Sequence, residues 1–522
     1  MGKKSKKSIN LNTLFNNNNT TNAKQQGTQS KKQTKKQTKK QTKKQTKKQT
    51  HIPKLTNISL KVLQKIYNLD LYKDTITSFY ALNNPIITYL VKYNDNESKR
   101  LIKNGPSNLE LVPEYKFKDI EDNLKSIDLV YKINQDLLKE LKLKKLPEIV
   151  QYGSEDFTRG IRGFLDSRYK HLPIKLSNGF VKLWEILHTF KLMTNANTNN
   201  PTSSSSPTSS SPTSFNVFHI AEAPGQMILC AKYYAEKKHK NITNYDWRAN
   251  SLRYGGLKDD YNLMRNNPDK WLWGSDNSGD ITKINNIKWF RKYINNKWIK
   301  HNNTNINSEK LDLIIGDGGL SADTNSAYIL QKLDLAQVIT VIACSCIGGS
   351  CVIKHFTSYM INKPETLEAT SFFISFIYLY YIYFEEVNLF KPYTSDSTSG
   401  EFYVIGKGFK GINDNELDKL YNILSKFKTN NAIFSKNSIP DTFIKQIDNF
   451  LDLLTKYNIK GYEKQNLLLK CYKLEGKNKS TSKHINNQST INENDCKIIN
   501  NKNIENILIP RYNQWIKINA FE

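Results

Sequence analysis

The sequence predicts an α/β fold, a sheet covered by helices on both faces with helical segments before and after it. Three observations predict this. Short apolar runs of strand type alternate with longer helical runs between about residues 217 and 407. A turn of small residues, Ala221-Glu222-Ala223-Pro224-Gly225, follows the first strand directly. Single charged residues, Lys182, Asp317, Lys354 and Glu401, mark apolar runs that are far apart in the chain. Strand and helix in alternation imply a sheet that must be buried on both sides.

The elements follow in order. Residues 178–193 read as a helix carrying Lys182, 217–220 as a strand, 226–237 as a helix and 241–247 as a strand. After a long connection, 311–315 is a strand and 325–345 a helix with Leu330, Leu333, Val338 and Val341 among its apolar positions. Residues 350–354 form a strand, 367–381 a buried helix, and 385–390 and 401–407 two further strands. The apolar stretch 369–384 is interrupted by Thr370, Ser371 and Ser375 and is too short to span a bilayer about 30 Å thick, so no membrane segment is expected.

Around this core the chain divides into four parts. Residues 1–55 are a lysine-rich tail, expected to be disordered, in which Lys-Lys-Gln-Thr repeats five times from Lys31 to Thr50 with no apolar residue to offset chain ordering. Residues 56–150 carry helical periodicity, for example Leu124, Ile127, Leu129, Val130 and Ile133. Residues 151–410 hold the α/β core, interrupted at 194–214 by a Ser, Thr and Pro insertion expected to be disordered. Residues 411–522 are a helical extension with a flexible interval at 476–494.

Net charge is +29 over 522 residues; residues 1–50 supply fifteen lysines and no acid, leaving the rest at +14. A basic body with a basic tail favours a polyanionic partner, nucleic acid first. The six cysteines show no CxxC spacing, and no apolar signal sequence opens the chain, so a reducing intracellular compartment is expected. His188, His219 and His355 lack ligand spacing, and no metal is expected.

In open α/β sheets, ligands bind beyond the carboxyl ends of the strands. The small residues at 221, 223 and 225 let the backbone approach a ligand, and the helix starting at Gln226 and Met227 favours an anion at its N-terminus. A methionine carboxylate suits that place, and Glu222 can face an ammonium or sulfonium. A GxGxxG pyrophosphate loop is absent, which disfavours a dinucleotide. Asp246 near the end of the second strand is a candidate for ribose hydroxyls, and Asp280 for an adenine amino group. If Lys182 and Lys354 face one crevice, two ammonium groups in a low-dielectric site cannot easily both stay charged. One pKa should fall toward working pH, as a lysine general base requires. Asp317 and Glu401 would position the pair and balance its charge.

Seven blocks in this order resemble the FtsJ-like ribose 2′-O-methyltransferases, and among them the mRNA cap methyltransferases of the adrift type. They are Val181-Lys182-Leu183-Trp184-Glu185-Ile186, His219 through Gly225, Asp246 through Leu252, Trp273 through Thr282, Gly316-Asp317-Gly318-Gly319, Gly348 through Lys354, and Leu389-Phe390-Lys391-Pro392 through Glu401-Phe402-Tyr403-Val404. The resemblance runs from about Phe180 to Phe409. It implies a Rossmann-like S-adenosylmethionine-dependent methyltransferase sheet acting on RNA, capped mRNA first, in the nucleus or a cytoplasmic viral replication compartment. It also implies a Lys-Asp-Lys-Glu tetrad: Lys354 as proton acceptor, Asp317 steering it, Lys182 beside the attacking oxygen and Glu401 orienting Lys182. The donor would lie against Glu222, Ala223, Pro224, Gly225, Gln226, Met227, Asp246 and Asp280. Three positions depart from the family pattern: Gln226-Met227 after the turn, Asp396 after Ser395, and Gly400 before Glu401. Two other readings stand beside this one, an FtsJ-like enzyme of ribosomal or transfer RNA and a catalytically silent RNA-binding subunit.

Overall fold

A computed structural model describes residues 109–143 (without 114 and 116), 156–170, 172, 176–193, 213–254, 256–299, 310–319, 327–357, 369–428, 431–478 and 501–521. The lysine-rich repeat, the helical reading before residue 109, and residues 194–212 and 479–494 lie outside the described residues.

Seven strands form the central sheet: β1 (Thr213–Ile220), β2 (Ile242–Asn250), β3 (Trp271–Leu272), β4 (Leu311–Gly316), β5 (Ser350–Phe356), β6 (Phe384–Phe390) and β7 (Glu401–Phe409). Their spatial order is β3-β2-β1-β4-β5-β7-β6. β1 to β5 are mutually parallel, and β7 runs antiparallel between β5 and β6. The chain leaves β1 toward β2 on one side and returns to β4 on the other, so the order reverses between β1 and β4. In open α/β sheets, ligands bind outside the carboxyl ends of the strands at such a reversal. Val217, Phe218 and Ile220 of β1 are fully buried on both faces, as a central parallel strand requires.

The covering helices are α1 (Lys118–Glu140), α2 (Asp156–Arg168), α3 (Asn178–Phe190), α4 (Gln226–Lys238), α5 (Leu263–Asn266), α6 (Ile284–Ile294), α7 (Ala327–Cys344), α8 (Thr370–Tyr383), α9 (Asp414–Lys426), α10 (Asp441–Asn478) and α11 (Asn501–Ile518). Local chemistry sets their ends. The Ser177 hydroxyl accepts from the Phe180 amide at 3.1 Å and caps α3. Asn413 does the same for α9, accepting from the Glu416 amide at 2.8 Å. Every residue of α8 is buried, which accounts for its lack of a polar stripe. Within α1, Leu124 and Ile127 are buried, while Leu129 and Ile133 face solvent.

The structure also differs from the sequence reading in its element boundaries and by one added strand. β1 begins at Thr213, which pairs with Ile242, because the pairing with β2 recruits polar residues that have no strand periodicity of their own. α10 continues through Asn478, past the expected start of the flexible interval. The segment after residue 411 includes a strand, Asn431–Ala432, paired antiparallel with Val112–Pro113. No helix among the described residues is long and apolar enough to cross a membrane.

Candidate active site

Four elements deliver the four charged residues. α3 carries Lys182, Asp317 follows β4, Lys354 lies on β5 and Glu401 opens β7. The β5–β7 register pairs Lys354 with Tyr403 and Phe356 with Glu401, so Lys354 and Glu401 share one face of the sheet by the period-2 rule. The Asp317 amide donates to the Ile220 carbonyl at 3.1 Å, tying Asp317 to the end of β1.

The side chains form two ion pairs. Lys354 Nζ donates to Asp317 Oδ1 at 2.5 Å, and Lys182 Nζ donates to Glu401 Oε1 at 2.6 Å. All four are largely buried, with side-chain exposures between 10% and 13%, so both pairs are desolvated and mutually coupled. Burial pushes the Glu401 carboxyl up, yet the Lys182, Lys354 and Lys391 charges outweigh it and hold the pKa at about 2. The expectation that one of the two amines falls toward working pH is not met at Lys354. Burial does push that ammonium down, but Asp317 and Glu401 overcome it and leave the pKa above the ordinary lysine value. The reason is that each lysine arrives with its own carboxylate, so the amines do not face each other uncompensated.

Glycines make room for this geometry. A Cβ on Gly318 would lie 2.3 Å from Gln337 Oε1, and one on Gly319 would lie 3.3 Å from Lys354 Nζ. Gln337 Nε2 in turn donates to the Lys354 carbonyl at 3.2 Å.

Beside the pairs lies the turn after β1. Gly225 caps α4 with φ +106°, a conformation that favours glycine, and a Cβ there would meet Leu263 Cδ1 at 2.3 Å. Glu222 Oε1 accepts from the Met227 amide at 2.7 Å, and its other oxygen is buried with no hydrogen-bond partner. Burial, and then the Asp317 charge, push the Glu222 carboxyl well above its ordinary value. Gln226 reaches Asp317, donating from Nε2 to Oδ2 at 3.1 Å. Thus Asp317 is held by Lys354 and Gln226 together.

The structure sets Asp246 apart. It lies four residues before the end of β2, and its carboxylate accepts from Arg248 at 2.8 Å and Lys270 at 2.9 Å. Asn250 occupies the strand end, with Nδ2 on the Leu272 and Gly279 carbonyls and a buried Oδ1 that has no partner. Asp280 lies on the loop that packs against this end; its Oδ1 accepts from the Thr282 amide at 2.9 Å and hydroxyl at 2.7 Å. Gly279 makes that approach possible. With φ +67° and a Cβ position only 1.8 Å from the Ser251 carbonyl oxygen, Gly279→Ala is expected to cost about 1–3 kcal/mol. Chemical unfolding of the variant checks this; unchanged stability would contradict the close packing.

Three polar residues behind Glu401 escaped the sequence reading. Lys391 is 1% exposed and donates to the Ser399 carbonyl at 2.6 Å and the Glu401 carbonyl at 2.9 Å; burial lowers its pKa to about 8. Ser395 Oγ donates to Glu401 Oε1 at 2.8 Å, so a serine from the preceding turn, and not the residue at 400, braces the carboxylate. Glu185 is fully buried on α3 and accepts from the Tyr393 amide, the Thr394 amide and hydroxyl, and Trp515 Nε1; burial nonetheless pushes its pKa up to about 7. A signal for it existed: an acid inside the apolar run Leu183-Trp184-Glu185-Ile186-Leu187 must find donors. Trp184 is likewise buried and donates from Nε1 to the Asn519 carbonyl at 2.9 Å.

Comparison with known proteins matches this sequence to a family. Residues 176–409 fit the model of the FtsJ-like methyltransferases. The chain is 30% identical over 314 residues to the uncharacterized protein L511 of Acanthamoeba polyphaga mimivirus, covering 58% of this chain and 35% of that one. It is 27% identical over 273 residues to the cap-specific mRNA (nucleoside-2'-O-)-methyltransferase 2 of Pongo abelii, covering 49% of this chain and 32% of that one. To the probable methyltransferase EP424R of African swine fever virus (isolate Pig/Kenya/KEN-50/1950) it is 26% identical over 279 residues, covering 51% and 55%. The chain therefore spans about a third to just over half the length of these relatives. The seven strands of the central sheet lie within the matched segment: residues 176–409 are an FtsJ-like methyltransferase domain.

Proposed function

We propose that this chain is an S-adenosylmethionine-dependent RNA methyltransferase that modifies the ribose 2′-hydroxyl of the first or second transcribed nucleotide of a capped mRNA. The observation that carries the reading is the buried double ion pair, Lys354–Asp317 and Lys182–Glu401, beside the turn 221–225. The named cap methyltransferase relative supports capped mRNA as the substrate.

The residues fit the methyl donor. Among the described residues, Glu222 Oε2 and Asn250 Oδ1 are buried acceptors without a hydrogen-bond partner, suited to an ammonium and a hydroxyl. S-adenosylmethionine would supply a methyl group already activated by its sulfonium, which leaves the protein to place the hydroxyl and manage its proton.

Lys354 Nζ takes that proton. Lys354 rests as an ammonium because of Asp317 and Glu401, so it must first release a proton to solvent before it accepts one. Asp317 keeps the amine aimed, with Gln226 fixing the carboxylate from behind. Lys182 places a cation beside the attacking oxygen, and Glu401 aims Lys182. The single-turnover rate should therefore rise about tenfold per pH unit up to the Lys354 pKa in the complex. A flat profile from pH 6 to 10 would remove Lys354 from the role of base.

The deciding test is transfer of a radiolabelled methyl group to defined capped and uncapped oligonucleotides, with the product mapped to one nucleotide. Label on the first or second nucleotide of capped RNA alone is the expected result. Transfer confined to ribosomal or transfer RNA would assign the same chemistry to another substrate, and RNA binding without transfer would indicate a silent subunit.

A further inference from the structure

We propose that Asn458, on α10 and outside the methyltransferase segment, is a positioning residue for Glu401, so that the helices after residue 411 form a working part of the active site. The proposal rests on the tetrad reading above. Glu401 opens β7, so its carboxylate is aimed by the residues that separate β7 from the end of β6 at Phe390. Those ten residues belong to neither strand and are held by side chains from elsewhere.

Asn458 Nδ2 donates to the Ser397 carbonyl at 3.1 Å and the Ser399 carbonyl at 3.0 Å. Lys391 Nζ converges on the same Ser399 carbonyl at 2.6 Å. Seven residues along α10, Gln465 Nε2 donates to Thr398 Oγ1 at 3.3 Å. Between them Gly461 lets the helix backbone touch the turn: a Cβ there would lie 2.9 Å from the Ser397 carbonyl carbon and oxygen. Residues 458, 461 and 465 fall on one helix face by the i, i+3, i+7 spacing, and that face is the one laid on the turn.

The chain of contacts then reaches the chemistry. Ser399 Oγ accepts from the Glu401 amide at 3.1 Å, and Glu401 holds Lys182 at 2.6 Å. Asn458 is 2% exposed, so water cannot replace its amide at the two carbonyls without opening the packing. A shift of the turn moves the Glu401–Lys182 pair, and about 1 Å of misplacement costs on the order of 10²-fold in rate.

Two variants test this in the full-length chain. Asn458→Asp keeps the side-chain shape and removes the donor; Gly461→Ala adds one methyl between helix and turn. Both should lower kcat for methyl transfer about 10- to 100-fold, with KM for RNA and for the donor within about threefold. Amide hydrogen exchange at residues 398–402 should speed up, while amides of β1 and β4 keep their protection and so report an intact fold. Unchanged exchange in the turn of both variants would overturn the proposal, as would a loosened turn with unaltered kcat. A wild-type chain that methylates no RNA would instead sink the tetrad reading, and the exchange measurement would still decide whether Asn458 holds the turn.

Discussion

Lys354→Met is expected to lower the single-turnover rate of methyl transfer by about 10³-fold or more, since a positioned general base contributes roughly 10²–10⁴. The variant removes the proton acceptor and leaves Asp317 with Gln226 Nε2 as its hydrogen-bond donor at 3.1 Å. Lys354→Arg separates charge from basicity: it restores a cation near Asp317 but cannot accept a proton near neutral pH. It should recover stability without recovering rate. RNA binding, measured by anisotropy, should stay near wild type for both. A Lys354→Met variant that binds RNA and methylates at the wild-type rate would end the assignment.

Glu401→Ala is expected to be the most destabilising single change at the site, at about 3–5 kcal/mol, because it strands buried cations. Lys182 loses its 2.6 Å partner, and Lys391, already pushed down to about 8, loses the carboxylate charge that sustains it. The effect depends on pH with a definite sign. The folded Glu401 pKa of about 2 lies below the ordinary 4.5, so the folded state binds this proton less readily than the unfolded chain. Its contribution, roughly 3 kcal/mol, is fully present above about pH 4.5 and is lost as pH falls toward 2. The difference in urea stability between wild type and Glu401→Ala should therefore shrink across that acid window and stay constant from pH 5 to 7. A difference that grows on acidification would contradict the ion-pair account. Catalysis should fall as well, since Lys182 is then no longer aimed.

The alternation of strands and helices was legible because β1, β4 and β5 each contain a short apolar run, at residues 217–218, 313–315 and 351–353. β3 was not, since Trp271–Leu272 is two residues long and its pairing with Ala249 and Asn250 is a long-range fact. The seven blocks contain the four charged residues that the fold pairs, yet Asp246 was placed too close to the strand end: in β2 that carboxylate serves Arg248 and Lys270, and Asn250 ends the strand. The expected fall of one lysine pKa also does not occur at Lys354. Counting two lysines in one crevice omits how near each stands to a carboxylate, and Coulomb energy depends on those distances.

What could be read from residue order alone was the class of sheet, the small-residue turn after β1 and four charged residues beside apolar runs, because periodicity and small-residue turns act over a few neighbours. What needed the folded chain was which carboxylate each lysine meets, and that Glu185, Lys391 and Asn458 brace them from behind. Lys182 and Glu401 are 219 residues apart, and Asn458 reaches its turn from a helix beyond the methyltransferase segment. Contacts at that separation come from packing, which joins residues that no local pattern relates.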